Sequence, residues 1–185
     1  MRDARDALSA EQVAHASAAA SAHVLAHEGV RAARLVAIYA PIAGANELET
    51  SAIHLGVAAL GGRLAYPVVR GRDAPLDFHL VDDVEDLRPS RLGIPQPDPS
   101  TPVVPLDSID VFLVPGLAFD LEGERLGWGR GHYDRTLVRA PEALRVGYAF
   151  ELQVVDRVPV GADDQRIDVL VTETGARQAP PRRSR

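Results

Sequence analysis

Eleven residues in the second half of the chain, RLGWGRGHYDR from Arg125 to Arg135, hold three alternating glycines, three arginines, two large aromatic rings and one aspartate. Gly127, Gly129 and Gly131 allow a backbone to approach a bulky anion and to adopt positive φ without steric penalty. Arg125, Arg130 and Arg135 supply planar, permanently charged donors that match phosphate or carboxylate oxygens in pairs. Asp134 is the one acid in this basic cluster. It has the chemistry to hold magnesium beside bound phosphates, or to pair with Arg130 or Arg135 at a helix start. Trp128 and Tyr133 can stack on a planar ring or pack the loop onto the domain. His132 has no identifiable acid partner, so it reads as a hydrogen-bonding or solvent-facing residue rather than a catalyst. The spacing is neither the G-x-G-x-x-G dinucleotide fingerprint nor a P-loop, which ends in Gly-Lys followed by Ser or Thr. The residue types define an anion site, best suited to phosphate.

Such a loop needs a sheet and a helix to carry it. DVFLVPGLAFD (Asp110 to Asp120) has the continuous apolar content of a strand buried on both faces. It delivers the glycines beyond a strand's carboxyl end, where open parallel sheets bind ligands, and a helix from about Tyr133 to Arg139 follows. Upstream, Ser9 with Gln12 forms a capping box for a first helix running through Val13, Ala16, Ala20 and Val24 to Gly29. RLVAIYAP (Arg34 to Pro41) predicts a buried strand. Asn46 with Glu49 signals the cap of a second helix whose inner face is Ile53, Val57 and Leu60. RLAYPVV (Arg63 to Val69) completes a βαβ unit with a parallel, right-handed crossover. LDFHLV (Leu76 to Val81), RVGYAF (Arg145 to Phe150) and IDVLVTE (Ile167 to Glu173) predict further strands, and GIPQPDPSTPVVP (Gly93 to Pro105) an ordered, extended surface loop.

The 185 residues, 46% hydrophobic and 25% charged, suit one globular domain with its own core. There is no cysteine, hence neither disulfides nor thiolate metal sites. The net charge is −6, yet the last ten residues carry four arginines and no acid, so the body is more acidic still. An acidic body argues against nucleic-acid binding, which needs clustered cations. All twenty basic residues are arginine, a compositional bias. With no leader-like segment and no apolar run near the roughly 20 residues of a membrane span, the expectation is a cytoplasmic protein, off the membrane. The predicted fold is α/β: one three-layer domain over residues 1–175 with a mostly parallel, Rossmann-like sheet, then a disordered Arg/Pro tail at 176–185.

The stretch from Val114 to Leu137 closely resembles the signature of the 5-formyltetrahydrofolate cyclo-ligase family, approximately P-G-x-x-F-D-x-x-G-x-R-L-G-x-G-x-G-x-Y-D-R, and meets each of its fixed positions. ELETSAI (Glu47 to Ile53), GIPQP (Gly93 to Pro97) and RIDVLVTE (Arg166 to Glu173) follow the family's order, so the resemblance covers roughly residues 5 to 175. It implies a relation to the sugar-phosphate isomerase and coenzyme A transferase-like folds. It implies an enzyme that uses ATP and magnesium to convert 5-formyltetrahydrofolate to 5,10-methenyltetrahydrofolate, releasing ADP and phosphate. The formyl oxygen attacks the γ-phosphate, N10 closes the ring and phosphate leaves, a phosphoryl transfer in which the protein mainly positions reactants and neutralises charge.

By resemblance, Arg125, Leu126, Gly127, Trp128, Gly129, Arg130, Gly131, His132 and Tyr133 match the ATP loop, with Arg125, Arg130 and Asp134 acting in catalysis. Trp128, Gly129, Arg130, Gly131 and His132 also match positions near the folate, together with Glu47 on polar pterin atoms and Ile42 as an apolar wall. Asp134 and Asp168 match magnesium positions; the simpler alternatives are a helix-dipole role for Glu47, a cap for Glu49 and an Arg166 pair for Asp168. Partners are the two small-molecule substrates, for a monomer or weak homodimer. The chain departs from the family's pattern in three places: no Lys-x-x-x-Arg element precedes Ser9, with neither Arg2 nor Arg5 aligning with it, Arg130 stands where Lys or Gly is frequent, and His132 where Tyr is frequent. The alternative reading is therefore a non-catalytic or weakened folate- or nucleotide-binding paralogue.

Overall fold

The computed structural model describes residues 2–42, 44–90 and 93–182. A short helix α1 (Arg2–Asp6) precedes α2 (Ala10–Ala26). The Ser9 hydroxyl accepts from Gln12 N–H at 3.2 Å while the Gln12 side chain accepts from Ser9 N–H at 2.8 Å, so the capping box forms. Ser9→Ala is expected to cost about 1 kcal/mol, measured as a lower urea midpoint at unchanged m-value. The helix stops before Gly29, because His27 is extended and its Nδ1 accepts from Gly29 N–H, starting α3 (Glu28–Ala32).

Strand β1 (Leu35–Ala37) leads through α4 (Ser51–Ala59) to β2 (Arg63–Val69), which pairs parallel with β1, as the βαβ pattern requires. The expected strand to Pro41 is shorter, because the chain leaves the ladder after Ile38. The expected cap at Asn46 does not form: α4 starts after Thr50, and the Asn46 side chain bonds the N-terminal segment instead. Next, β3 (Leu76–Leu80) runs antiparallel to β2. The proline-rich region is threaded by β4 (Arg88–Pro89), β5 (Pro95–Gln96) and β6 (Val103–Val104), the last on β3.

Strand β7 (Val111–Val114) lies against β1 and is buried at every position. It does not run on to Asp120. Pro115 and Gly116 break it, and β8 (Ala118–Phe119) folds back on β9 (Arg125–Leu126) as a hairpin. Helix α5 (His132–Leu137), β10 (Leu144–Tyr148) and β11 (Val169–Thr172) follow. The expected disorder from residue 176 gives way to β12 (Gly175–Gln178), antiparallel to β11. The composition of this tail is polar, but an edge strand needs only its backbone to pair. Residues 183–185 lie outside the described residues.

The main sheet has the order β12-β11-β10-β7-β1-β2-β3-β6, with β2, β1, β7, β10 and β11 parallel. Alternate residues of the central strands face two layers. Val36, Leu113, Val146 and Val169 pack with Ala20 and Val24 of α2 and Ile53 and Val57 of α4. Ala37, Phe112 and Leu170 pack with Leu137 of α5 and Phe119 of the hairpin. The result is an α/β domain of three layers. Among the described residues no helix is long and apolar enough to cross a membrane.

Candidate functional site

The carboxyl ends of the parallel strands open into a cleft of about 910 Å³, at the upper end of ordinary small-molecule pockets. Tyr39, Ala40, Ile42 and Glu47 come from the segment after β1, Pro115 follows β7, and Arg125 and Leu126 form β9. The residues Gly127 to Gly131 and the first turn of α5 close the floor. Gly129 (φ 76°) and Gly131 (φ 63°) sit in left-handed backbone, which only glycine adopts freely and which turns the loop into α5.

Arg125 is 9% exposed and donates to Asp134 Oδ1 at 2.9 Å; Oδ1 also accepts from Gln165 N–H at 3.1 Å. The partner of Asp134 is thus Arg125, not Arg130 or Arg135. A Cβ on Gly127 would lie 2.7 Å from Arg125 Nη1, so this glycine makes room for the guanidinium. The Arg125 guanidinium also stands 5.7 Å from the Tyr133 ring centre. The Tyr133 hydroxyl is buried without a hydrogen-bond partner among the described residues, and burial raises its pKa well above the phenol range. Below, Arg145 donates to the Leu137 carbonyl at 2.7 Å and to Gln165 Oε1 at 3.2 Å, fastening the end of α5 to the segment carrying Asp163, Asp164 and Gln165 on the cleft wall. Burial lowers the Arg145 guanidinium to about 10, still cationic at neutral pH.

On the opposite wall, Glu47 Oε2 accepts from Ile42 N–H at 2.9 Å and Oε1 lies 3.9 Å from Arg5. Burial pushes the Glu47 carboxyl above its ordinary 4.5, against the opposing pull of the Ile42 bond and Arg5. Folding therefore stabilises the neutral form relative to the unfolded chain. This contribution to stability is complete below pH 4.5 and is lost as pH rises through the raised value.

The structure brings Ile42, Glu47 and every residue from Arg125 to Asp134 to one cleft, with Arg130 exposed at its mouth. His132 is hydrogen-bonded, its Nδ1 lying 2.8 Å from the Ala74 carbonyl. Asp168 is elsewhere. It sits at the amino-terminal end of β11, accepts from Arg145 N–H at 2.8 Å and pairs with Arg182 at 2.7 Å, while Arg166 pairs with Glu124. The expected pairing of Asp134 with Asp168 around a metal finds the two with different hydrogen-bond partners: Asp134 meets Arg125 and Gln165 N–H, Asp168 meets Arg145 N–H and Arg182. Among the described residues no group of three or more His, Asp and Glu side chains gathers to hold a metal ion. A magnesium ion bound by one carboxylate and substrate phosphates needs no such cage, and Asp134 fits that demand. Sequence reasoning missed Tyr39, Asp73, Asp163, Asp164 and Gln165 on the walls, and Arg5 beside Glu47. The only signal was position after a strand for Tyr39; for the others, none local exists.

A mostly parallel sheet with a glycine- and arginine-lined cleft at the carboxyl ends of its parallel strands defines an α/β protein with a small-molecule-sized pocket. The family model for the 5-formyltetrahydrofolate cyclo-ligase family matches residues 1–173, and the chain belongs to that family. It is 32% identical over 179 residues to the 5-formyltetrahydrofolate cyclo-ligase of Escherichia coli (strain K12), covering 93% of this chain and 96% of that protein. The NMR structure of Aquifex aeolicus 5,10-methenyltetrahydrofolate synthetase superposes with a TM-score of 0.83 at 34% identity, over 98% of this chain and 90% of that one. The Mycoplasma pneumoniae 5,10-methenyltetrahydrofolate synthetase shares the fold, with a TM-score of 0.75 at 22% identity over 92% and 93% of the two chains.

Proposed function

We propose that the protein is an ATP-dependent cyclo-ligase converting 5-formyltetrahydrofolate to 5,10-methenyltetrahydrofolate, with ADP and phosphate as the other products. The observation that carries this reading is the meeting in one cleft of the Arg125–Asp134 pair, the Gly127–Gly131 loop and Glu47. The loop amides and the Arg125 and Arg130 guanidiniums bind and neutralise the phosphates. Glu47 and Ile42 hold the pterin, with Trp128 and His132 beside it. Asp134, which lines the cleft, is the residue that would hold magnesium, which when bound offsets phosphate charge; Asp168 is not part of the cleft lining, and its two oxygens meet Arg145 N–H and Arg182. Small molecules are the partners, and a cytoplasmic monomer or weak homodimer is the expected setting.

Mixing the purified protein with 5-formyltetrahydrofolate, ATP and magnesium tests the reading. Appearance of the methenyl chromophore with stoichiometric ADP supports it; folate binding without product would favour a non-catalytic paralogue. Glu47→Gln adds a pH test. Pterin N–H donors favour the ionised carboxylate, so folate affinity of the parent should rise with pH through the raised Glu47 pKa, above its ordinary 4.5. The variant should bind folate about tenfold more weakly at neutral pH, with that rise flattened. A parent-like pH profile of KM in the variant would remove Glu47 from the folate site.

A further inference from the structure

The Asn46–Glu47 dipeptide grips the N-terminal helix from two sides. The Asn46 side-chain amide donates to the carbonyls of Arg5 at 3.1 Å, Asp6 at 3.4 Å and Leu8 at 3.0 Å. Arg5 and Asp6 end α1, where a helix leaves its carbonyls without internal partners. Asn46 reaches them from left-handed backbone, φ 41°, which asparagine tolerates better than most residues. A helix of five residues has no stability of its own, so α1 keeps its place only through tertiary contacts.

What α1 brings to the cleft is Arg5. This residue is 3% exposed, 3.9 Å from Glu47 and 5.9 Å from the Trp128 ring centre, so it bridges two residues that line the cleft. Its Nε is buried without a hydrogen-bond partner among the described residues. A buried guanidinium with one distant carboxylate is incompletely compensated and stays in place only if its backbone is held.

The geometry points to Asn46 as a positioning residue that docks α1 on the domain and thereby sets the Arg5 guanidinium between Glu47 and Trp128. Asn46 touches no reacting atom; it acts through the Arg5 main chain. The inference rests on the cyclo-ligase reading for its kinetic consequence, whereas its spectroscopic consequence does not. Trp128 is the only tryptophan in the chain, so its emission reports directly on whether Arg5 lies over the ring.

Asn46→Asp keeps the side-chain shape and tolerates the backbone angle, but replaces the donor with a carboxylate facing three carbonyls. Asn46→Gly keeps the positive φ and simply deletes the amide. Both would be compared with Arg5→Ala and with the Asn46→Asp/Arg5→Ala double variant, by Trp128 emission of the ligand-free protein, thermal midpoint and kcat/KM for methenyl formation. Each Asn46 variant should shift Trp128 emission in the same direction as Arg5→Ala and lower kcat/KM about tenfold, with no further change in the double variant. If Asn46 only holds its own loop, the thermal midpoint falls while Trp128 emission stays at the parent position, and the inference is overturned. Losses that multiply in the double variant overturn it equally. Should the parent form no methenyl product, the cyclo-ligase reading fails, and the emission comparison still decides the role of Asn46.

Discussion

Asp134→Asn should lower kcat for methenyl formation about 100- to 1,000-fold while leaving the fold in place, the scale expected when a preorganised charge is removed from a transition-state site. The variant side chain still offers an oxygen to Gln165 N–H and to Arg125, so the first turn of α5 keeps its hydrogen bonds. It loses the charge that fixes a guanidinium only 5% exposed at its side chain. It also loses the one carboxylate of the Arg125 to Arg135 loop that can face a magnesium ion beside phosphates. Two causes are separable. If Asp134 acts on the metal, raising magnesium should recover part of the rate; if it acts only by orienting Arg125, rescue fails and Arg125→Ala reproduces the defect. Far-ultraviolet circular dichroism should match the parent in either case. Turnover within twofold of the parent would remove Asp134 from the machinery.

The second large effect is on stability. Asp120, 2% exposed, accepts from Glu122 N–H at 3.0 Å, Glu124 N–H at 2.9 Å and Val158 N–H at 2.9 Å. Two of these bonds build the turn of the β8–β9 hairpin and the third ties it to the segment after β10. Asp120→Ala strands the buried Val158 N–H, at about 1–3 kcal/mol, and removes two bonds of a part-exposed turn, each worth about 1 kcal/mol. A loss of about 3 kcal/mol or more is a large part of the roughly 5–15 kcal/mol that holds a domain together. The thermal midpoint should fall by about 6 °C or more. Asp120→Asn keeps an acceptor for the turn and should lose less. Because β9 carries Arg125, the Ala variant should also be poorly active at temperatures where it remains folded. A melting curve equal to that of the parent would show that water replaces the carboxylate and that the hairpin does not depend on it.

Much of the architecture was readable in local pattern. Short runs rich in β-branched and aromatic residues, such as VFLV at Val111–Val114, favour a buried strand, and Ser9 with Gln12 caps a helix using atoms three residues apart. Errors fell where a neighbour from elsewhere in the chain competes. Asn46 has the chemistry of a cap, but the carbonyls at the end of α1 take its amide. Between Asp110 and Asp120 the chain carries no polar side chain, yet Pro115 and Gly116 break the strand and Phe119 packs in one cluster with Ile167. The tail read as disordered from its arginines and prolines, but the free edge of β11 offers hydrogen bonds that composition does not register.

For the site, the loop residues belong together because they are neighbours in the chain: glycines, arginines and Asp134 come as one cassette whatever the fold. Pairing is another matter. Arg125 rather than Arg130 or Arg135 meets Asp134 because the hairpin returns β9 to the start of α5. Asp168 meets Arg182 because it stands at the amino end of its strand, away from the cleft. Arg5 reaches Glu47 and Trp128 because α1 folds against the segment after β1. Backbone conformation and burial tendency are set by residues within a turn or two, so the chain dictates them locally. Ion pairs and cleft walls depend on distances of a few ångströms between residues far apart in sequence, and strand order and direction set those distances.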